Sequence, residues 1–219
     1  MWYRATVCLT EQVSVDMILL TVELANRPMY KPGQYFELRM PNTEASRLYS
    51  AVRCPESSEI RLDFGIQLIK TGELSPRLWD LRPGDKIEVA GPYGVCTLRE
   101  EHAGPLVLIG AGSGIVPLLS IREAYQKRYP KYPIRFIVSA HSEAYVMWYE
   151  LLKDEIILRC TSHEGRIDKK FLRDSISDCS NNPATLYYVV GSGQFVQEIS
   201  NHLASLAIPL SSVRTESFF

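Results

Sequence analysis

Short runs in which apolar and polar residues alternate fill residues 1–98, and Pro, Gly and Asn separate them. Runs of this length that are rich in Val, Ile, Leu, Tyr and Phe predict β-strands. Six strands at this spacing predict a small antiparallel β-barrel. The six runs are YRATVCL (3–9), SVDMILLTVEL (14–24), GQYFELRM (33–40), RLYSAV (47–52), EIRLDFGIQLI (59–69) and DKIEVAG (85–91).

One short helix is expected to interrupt these strands, within LSPRLWDLRPG at 74–84. Ser75 is placed to act as the N-cap, and Pro76 suits the first helical position. A Pro-Gly pair at 83–84 is a typical stop signal. The polar segment REEHAGP (99–105) then breaks the strand pattern, and we interpret it as a linker.

From residue 106 to residue 219, buried strands alternate with amphipathic helices. Four successive β-α pairs predict a doubly wound parallel sheet, whose ligands bind at the carboxyl ends of the strands. We therefore expect a ligand cleft between a barrel domain and an α/β domain. The predicted strands are 106–112, 134–140, 155–161 and 185–191, and the predicted helices are 115–129, 143–154, 168–176 and 194–206.

Composition narrows the class of protein without naming a function. A formal net charge of −1 gives no global attraction to nucleic acid or to an anionic membrane. An uncharged run at 104–121 contains a glycine cluster, so it reads as strand, turn and helix rather than as a membrane span. Five widely spaced cysteines suit a reducing compartment, and the N-terminus is not a signal peptide, so a cytoplasmic protein is expected. No iron–sulfur or zinc spacing is present, and no metal is expected.

The glycine-rich sequence GAGSGIVP (110–117) lies between a predicted strand and a predicted helix. Glycines at such a turn let the backbone approach a diphosphate, and the helix N-terminus offers free N–H groups. The spacing is G-x-G-x-G instead of G-x-G-x-x-G, so a tight turn without a ligand remains an alternative. The residues that would meet a nucleotide here are Gly110, Gly112, Ser113 and Gly114.

The sequence RLYS (47–50) places a cation, a phenol ring and a hydroxyl within four residues. In a strand, Arg47 and Tyr49 share one face, whereas Leu48 and Ser50 share the other. Arginine suits a phosphate, a tyrosine ring suits a flat ligand, and the serine reaches the same ligand only through a local bend. A strand with a surface arginine explains the pattern equally well.

The sequence GELSPRL (72–78) combines a turn with a helix start, and it has the same ambiguity. The free N–H groups of the turn suit a phosphate. The alternative is that Ser75 only caps the helix. The candidate binding residues are Gly72, Glu73, Leu74 and Ser75.

Together with these stretches, several others occur in an order that resembles the ferredoxin–NADP reductase superfamily. The resemblance extends over nearly the whole chain, and RLYS through GELSPRL is most similar to the bacterial ferredoxin (or flavodoxin)–NADP reductases. It implies an FAD-binding barrel at 1–98 and an NAD(P)-binding α/β domain at 106–219. The further stretches are KPGQYFEL (31–38), LRPGDKIEVAGPYG (81–94), YYVVGSGQFVQEI (187–199) and the terminal ESFF.

The resemblance also implies roles for individual residues. Arg47 would bind the FAD diphosphate, Tyr49 would stack on the isoalloxazine ring, and Ser50 would hydrogen-bond near the flavin N5. Ser113 would lie near the flavin and the nicotinamide. Glu216 would be the carboxylate that relays a proton or positions the nicotinamide, so Ser50 and Glu216 are the catalytic candidates.

The same comparison assigns cofactor contacts to two further segments. Glu73, Leu74 and Ser75 would meet the diphosphate through backbone and hydroxyl groups. Phe218 and Phe219 would shield the flavin or its adenine, unless they form only a docked hydrophobic tail. A terminal aromatic ring over the flavin must move before the nicotinamide can stack, so the tail would gate turnover.

Two departures from the superfamily pattern concern hydride transfer and the coenzyme. Val190 stands where many members have a cysteine. Arginines that bind the 2′-phosphate of NADP are replaced by His141 and by Ser162 or His163, and Arg166 alone remains. Because a phosphate dianion needs several charged donors, NADH is expected to be preferred.

The expected activity is transfer of electrons from NAD(P)H through FAD to a separate protein, such as ferredoxin, flavodoxin or an oxygenase component. Two alternatives remain open at this point. The chain could reduce free flavin or a quinone, or it could be the electron-transfer subunit of a larger redox complex. The oligomeric state is not predicted.

Overall fold

The first part of the chain folds into six antiparallel strands, as the alternation of apolar and polar residues predicts. The computed structural model describes residues 1–26, 28–54, 60–99 and 101–218. The strands are β1 (Trp2–Gln12), β2 (Met17–Leu24), β3 (Tyr35–Arg39), β4 (Ser46–Ser50), β5 (Arg61–Gln67) and β6 (Lys86–Tyr93), with helix α1 (Ser75–Trp79) between the last two.

These strands pair in the order β4-β3-β6-β1-β2-β5. The predicted six-stranded antiparallel arrangement is therefore confirmed. The two edges of the sheet meet at one isolated bridge between Ala51 and Phe64, beside a hydrogen bond from Val52 N to Asp63 O of 2.9 Å. Within the described residues, the barrel is thus closed at one point and not by a ladder along β4 and β5.

Strand β2 is buried on both faces, which explains its nearly unbroken apolar sequence. Ile18, Leu20 and Val22 face the interior of the first sheet. Met17 and Leu19 point the opposite way, into a core that they share with the second half of the chain. Side chains that alternate across a strand therefore contribute to two hydrophobic cores.

The second half of the chain forms a parallel sheet flanked by helices, as the alternating pattern predicts. The strands pair in the order β11-β10-β7-β8-β9, and every pair is parallel. The strands are β7 (Leu106–Ala111), β8 (Ile134–Ala140), β9 (Ile156–Cys160), β10 (Leu186–Ser192) and β11 (Val213–Phe218). The helices are α2 (Ile115–Arg128), α3 (Tyr149–Leu152), α4 (Thr161–Glu164), α5 (Lys169–Ile176) and α6 (Gly193–Ser205).

The predicted helix at 143–154 is wrong. The segment forms a 3-10 turn at Glu143–Tyr145 and the four-residue helix α3, with Trp148 between them in the left-handed region at φ 55°. Backbone groups of this segment bind the first domain instead: Trp148 N donates to Val13 O, and Val15 N donates to Ala144 O. These contacts between distant residues outweigh the local helical pattern.

The C-terminal strand β11 was not anticipated by the four predicted β-α pairs. Its sequence VRTESF alternates with a period of two, and it pairs with β10 at the edge of the sheet. Residues 213–218 thereby extend the sheet to five strands. The pairing sets the direction of every side chain near the C-terminus, including that of Glu216.

The two halves pack through one continuous hydrophobic core. A buried hydrogen bond also crosses between them, from Gly33 N to the Oγ of Ser120 in α2, at 2.9 Å. In the part of the chain that the structure describes, no helix has the length and apolar character needed to cross a membrane.

Candidate functional site

The strand order of the parallel sheet reverses between β7 and β10, which are adjacent in space. In open α/β sheets, ligands bind at such a reversal, beyond the carboxyl ends of the strands. Gly110 lies near the end of β7, and residues 112–114 form a 3-10 turn that leads into α2. The glycine-rich sequence therefore lies where the topology expects a ligand.

Glycine is required at two positions of this turn. Gly112 has φ 55°, which side chains rarely adopt. A Cβ atom on Gly114 would lie 2.3 Å from the Val190 carbonyl oxygen, so the turn fits tightly against the end of β10. Ser113 is part of the same turn. The turn thus exposes backbone rather than side chains toward the crevice, as close approach of a diphosphate requires.

The end of β5 faces this glycine turn across the domain boundary. A Cβ atom on Gly112 would lie 3.9 Å from the Oε1 of Gln67, the last residue of β5. The Gln67 side chain is held by a hydrogen bond from its Nε2 to the Oδ2 of Asp16, at 2.7 Å. The predicted diphosphate segment, residues 72–75, follows β5 directly.

Ser75 does not cap α1, so that prediction is wrong. The N-cap residue is Leu74, and no side chain caps the helix. The Ser75 Oγ instead accepts a hydrogen bond from Ile69 N at 3.0 Å and donates one to Ile69 O at 3.3 Å. Ser75 is buried, and these two hydrogen bonds hold the loop between Ile69 and the start of α1 in place.

The remaining residues of this segment differ in their exposure. Glu73 is exposed, Gly72 is half-buried and Leu74 is buried in the core of the first sheet. Gly72 N donates to Ile69 O at 2.7 Å and closes a tight turn. The segment thus presents the backbone of residues 72 and 73 to solvent, and its side chains hold the loop in place.

Strand β4 carries RLYS on the edge of the first sheet, next to β3. Arg47 and Leu48 are exposed, Tyr49 is half-buried and Ser50 is buried. Burial raises the pKa of Tyr49 to about 12, against the opposing effect of the nearby Arg47 cation. The phenol therefore stays neutral, which suits a stacking surface.

Glu216 joins this edge of the first sheet from the opposite domain. Ser50 is paired with Tyr35 in the β3–β4 ladder, and the Tyr35 ring lies 6.2 Å from that of Tyr93. A Cβ atom on Gly94 would lie 2.9 Å from the Tyr35 ring and 3.6 Å from the Oε1 of Glu216. The Glu216 carboxyl therefore lies at the domain boundary beside Gly94, and the Tyr35 ring lies close to the same glycine.

The carboxyl group of Glu216 has unusual surroundings. Its Oε2 is buried and has no hydrogen-bond partner among the described residues. Burial raises the pKa of Glu216 to about 7. A carboxyl group with this pKa is able to hold or release a proton near neutral pH.

The other predicted cofactor contacts are more dispersed. Phe218 is half-buried and packs against the shared core, whereas Phe219 lies outside the described residues. Arg166 is exposed, and its Nη1 lies 2.7 Å from the Oε1 of Glu198 on α6.

The positions predicted to select the coenzyme meet at the carboxyl ends of β8 and β9. Ser162 N donates to the His141 carbonyl oxygen at 3.2 Å. His141 and His163 are exposed, and the His141 ring packs edge-on against that of Tyr145. Two strands, β10 and β7, lie between this corner and the edge strand β11 that carries Glu216.

Sequence reasoning gave no role to Gly94 and Cys96, which lie beside Glu216, or to Tyr35 and Tyr93. The Tyr35 ring lies close to Gly94 and to the Tyr93 ring. These residues lie in or beside the stretches KPGQYFEL (31–38) and LRPGDKIEVAGPYG (81–94). The resemblance drew attention to both stretches and assigned no role to these residues. Cys96 is buried, and its pKa is raised to about 12, first by burial and then by the negative charge of Glu216. The thiol therefore stays protonated and inert.

The residues at this domain boundary fit a dinucleotide with a flat ring system. The glycine turn supplies a backbone cradle, and β4 supplies an exposed arginine and a half-buried ring. The Glu216 oxygen, buried without a partner, provides one polar group that a ligand would satisfy. FAD combines a diphosphate with a flat ring, which suits the arginine and the ring of β4. The glycine turn suits the diphosphate of a second dinucleotide, the nicotinamide coenzyme.

Comparison with known proteins bears on the same regions. Residues 4–97 match the model of the family described as the oxidoreductase FAD-binding domain. The propane 2-monooxygenase reductase component of Gordonia sp. (strain TY-5) is 32% identical over 212 residues, which cover 95% of this chain and 57% of that protein. The chain spans about half the length of the curated relatives that it matches.

Two further comparisons extend this result. The ferredoxin--NAD(P)(+) reductase component of the naphthalene 1,2-dioxygenase system of Pseudomonas putida is 33% identical over 119 residues, covering 54% of this chain and 35% of that protein. The crystal structure of a ferredoxin NADP+ reductase from Neisseria gonorrhoeae with bound FAD and NADP has a TM-score of 0.86 at 19% identity, and covers 100% of this chain and 99% of that chain. At this identity the structural match concerns the fold alone.

Proposed function

We propose that the chain is an NAD(P)H-dependent flavoprotein reductase of the ferredoxin reductase-like superfamily, because residues 4–97 match the oxidoreductase FAD-binding domain and the sequence is similar to reductase components of oxygenase systems. In this proposal, residues 1–98 bind FAD, residues 99–105 link the domains and residues 106–219 bind the nicotinamide coenzyme. Electrons pass to a separate protein acceptor.

One observation supports this proposal: the Glu216 carboxyl of the second domain lies beside Gly94 of the first domain, near the Tyr35 ring. Tyr35 is paired with Ser50 in the β3–β4 ladder, and Glu216 lies on β11. A reaction between two cofactors needs each domain to present its ligand to the other, and this boundary provides the surface.

FAD, when bound, accepts a hydride from the nicotinamide and releases electrons to the acceptor. Arg47 would hold the diphosphate through charge-assisted hydrogen bonds, and the Tyr49 ring would cover a flat face. Ser50 would donate or accept a hydrogen bond at the ring edge. Each of these groups positions the cofactor and leaves the redox chemistry to it.

Glu216 would hold or move a proton at its carboxyl oxygens. Its pKa of about 7 leaves both forms populated near neutral pH. Water is largely excluded from its Oε2, so the proton would move to a bound ligand more readily than to solvent. The buried carboxyl would also exclude a second anion from the same place.

The proposed coenzyme is NADH. The hydrogen-bond donors to a 2′-phosphate would lie at the end of β8, where a dinucleotide places its adenosine ribose. That position holds His141, and Ser162 and His163 lie next to it at the end of β9. None of the three is a permanent cation. Arg166 is already paired with Glu198. Few charged hydrogen-bond donors are therefore available here to bind a phosphate dianion.

The acceptor is proposed to be the oxygenase or ferredoxin component of a multicomponent system. Curated relatives are named as reductase components of propane 2-monooxygenase and of naphthalene 1,2-dioxygenase. Five free cysteines support a reducing compartment, and we propose the cytoplasm.

Anaerobic addition of NADH or NADPH to the purified yellow protein tests the proposal. We expect the flavin absorbance to bleach with NADH, faster than with NADPH at equal concentration. Retention of FAD through gel filtration separates this function from reduction of free flavin. Protein that cannot be loaded with FAD, or a bound flavin that neither coenzyme reduces, would contradict the proposal.

A further inference from the structure

Three side chains that can bind a metal meet at the carboxyl end of β9. Cys160 is the last residue of this strand, and His163 and Glu164 are the last two residues of helix α4. One ligand atom from each residue lies within 4.8 Å of the other two. No other group of three such side chains comes this close in the described ranges.

The spacing of these residues explains their convergence. Residues at positions i, i+3 and i+4 lie on one face of a helical turn, and Cys160, His163 and Glu164 have this spacing. Cys160 is buried, whereas His163 and Glu164 are exposed. The thiol thus forms the floor of a small pocket, and the imidazole and carboxylate form its open side.

We propose that this Cys-His-Glu group binds Zn²⁺. A thiolate, an imidazole and a carboxylate are the three types of side chain that zinc prefers, and the thiolate disfavours Mg²⁺ and Ca²⁺. When the Zn–S bond forms, the thiol proton leaves to solvent and no electrons are transferred. Three protein ligands leave one tetrahedral position for water.

Hydrogen bonds around the turn hold two of the ligands in place. Cys160 N donates to the Oε2 of Glu164 at 2.7 Å, which leaves Oε1 for the metal. The Nδ1 of His163 lies 3.1 Å from the Ser162 Oγ, which leaves Nε2. Such outer partners fix the orientation of metal ligands.

Arg159 stabilises the turn from its other side. Its Nε donates to the Gly165 carbonyl oxygen at 3.2 Å, and its Nη2 donates to the Glu164 carbonyl oxygen. The guanidinium Nη1 lies 3.9 Å from the Glu164 Oε1, so its charge opposes that of the metal. Thiolate and carboxylate together carry two negative charges, which exceed the single charge of Arg159 and favour a dication.

The sequence alone gave no zinc pattern because the group contains only one histidine and one cysteine. A carboxylate completes it, and carboxylates are too common to signal a site by themselves. The short helix after β9 brings the three together. The three residues lie outside the flavin site, and His163 is also one of the positions proposed to select the coenzyme. Zinc binding is therefore titrated without added coenzyme, and it does not depend on the proposed reductase function.

Isothermal titration of the FAD-loaded 219-residue chain with Zn²⁺ tests the site. We expect one equivalent to bind. Cys160→Ser and His163→Ala should each weaken binding by at least about tenfold, since even the loss of an outer partner costs that much. Cys8→Ser, a half-buried cysteine elsewhere, serves as the matched control and should bind zinc as the parent does.

Titration with Co²⁺ provides a second, spectroscopic readout. A thiolate–cobalt charge-transfer band should appear in the difference spectrum of the parent protein and be absent from that of Cys160→Ser. His163 is exposed, so His163→Ala tests the site even if the cysteine variant fails to fold. Absence of stoichiometric zinc binding, or unchanged affinity in His163→Ala, would overturn the proposal.

Discussion

The Glu216 Oε2 is buried and has no hydrogen-bond partner among the described residues. This environment affects both the pKa of the carboxyl and the stability of the protein. The carboxyl lies beside Gly94 and Cys96, and no arginine or lysine forms an ion pair with it among the described residues. Burial favours the neutral form of a carboxyl, and it raises the pKa of Glu216 from 4.5 to about 7.

The raised pKa predicts that stability falls as the pH rises. Between pH 4.5 and about 7, the folded protein holds the Glu216 proton more tightly than the unfolded chain does. The free energy of unfolding should therefore decrease across this range, by up to about 3 kcal/mol. Glu216→Gln should remove this contribution, as measured by urea unfolding at pH 5 and pH 8.

Glu44→Gln is the control for this experiment, because Glu44 is an exposed glutamate in the first domain. It should leave the pH dependence of the parent unchanged. If Glu216→Gln lost as much stability between pH 5 and pH 8 as the parent, the carboxyl would not be the group responsible.

Arg47 is exposed on an edge strand and carries the second prediction at this scale. Its guanidinium would contribute a charge-assisted bond to the diphosphate of FAD, worth about 1.5–3 kcal/mol. Arg47→Ala should weaken FAD binding by about tenfold or more, measured by fluorescence titration of the FAD-free protein.

Arg61→Ala is the matched control, because Arg61 is an exposed arginine at the start of β5. It should retain FAD as the parent does. Unchanged flavin occupancy in Arg47→Ala would refute the diphosphate assignment.

At the scale of elements, the turn from β7 into α2 is held against the end of β10. Gly114 packs on the Val190 carbonyl group, and Gly112 turns the chain with a positive φ. The close packing fixes the N-terminus of α2 beyond the carboxyl ends of the strands. A diphosphate can approach the backbone of this turn only if no side chain occupies the space.

Gly114→Ala should destabilise the protein, because its Cβ atom would lie 2.3 Å from the Val190 carbonyl oxygen. We expect the free energy of unfolding to fall by about 1–3 kcal/mol, measured by denaturant unfolding. Gly193→Ala is the control, since a Cβ atom on this first residue of α6 has no heavy atom within 4 Å. It should be neutral or stabilise by up to about 1 kcal/mol. Equal stability of the two variants would contradict the packing argument.

Element prediction succeeded where the local sequence pattern and the tertiary contacts favour the same structure. The strand at 134–140 and the helix after the glycine turn have the predicted positions. It failed at 143–154, where Trp148 and Ala144 make backbone hydrogen bonds to the β1–β2 turn. A helix would have used those N–H and C=O groups internally.

At the scale of the whole molecule, the two sheets are joined by a core and by hydrogen bonds. Ser120 is fully buried in α2, and its Oγ accepts from Gly33 N at 2.9 Å while donating to Pro117 O at 2.8 Å. The hydroxyl thus satisfies a buried backbone N–H from the other domain. The boundary that carries the candidate site is therefore fixed in its geometry.

Ser120→Ala should leave the Gly33 N–H buried without a partner. Loss of an acceptor in this situation costs about 1–3 kcal/mol, which urea unfolding would detect. Ser200→Ala is the control, because the Ser200 hydroxyl bonds only to Val196 O within α6. It should cost less than Ser120→Ala, and the reverse order would argue against a structural role for the bond between the domains.

Much of the candidate site was accessible from sequence, and some of it was not. The glycine turn and the RLYS strand were identified because turn residues and alternation are local signals. Arg166 was named from sequence, yet the structure pairs it with Glu198, 32 residues further along the chain. Tyr35 and Gly94 received no role, because nothing local shows that they meet Glu216.

The sequence by itself determined the two-sheet architecture and the helix after the glycine turn, since strand patterns, glycines and prolines act on the backbone nearby. The roles of the candidate site residues remain predictions that rest on the resemblance. Only the tertiary structure decided that Ser75 pins Ile69 and that Trp148 interrupts a helix. It also placed the Glu216 carboxyl beside Gly94, without a partner. These outcomes depend on contacts that form after the chain folds, and packing and desolvation at those contacts outweigh local preference.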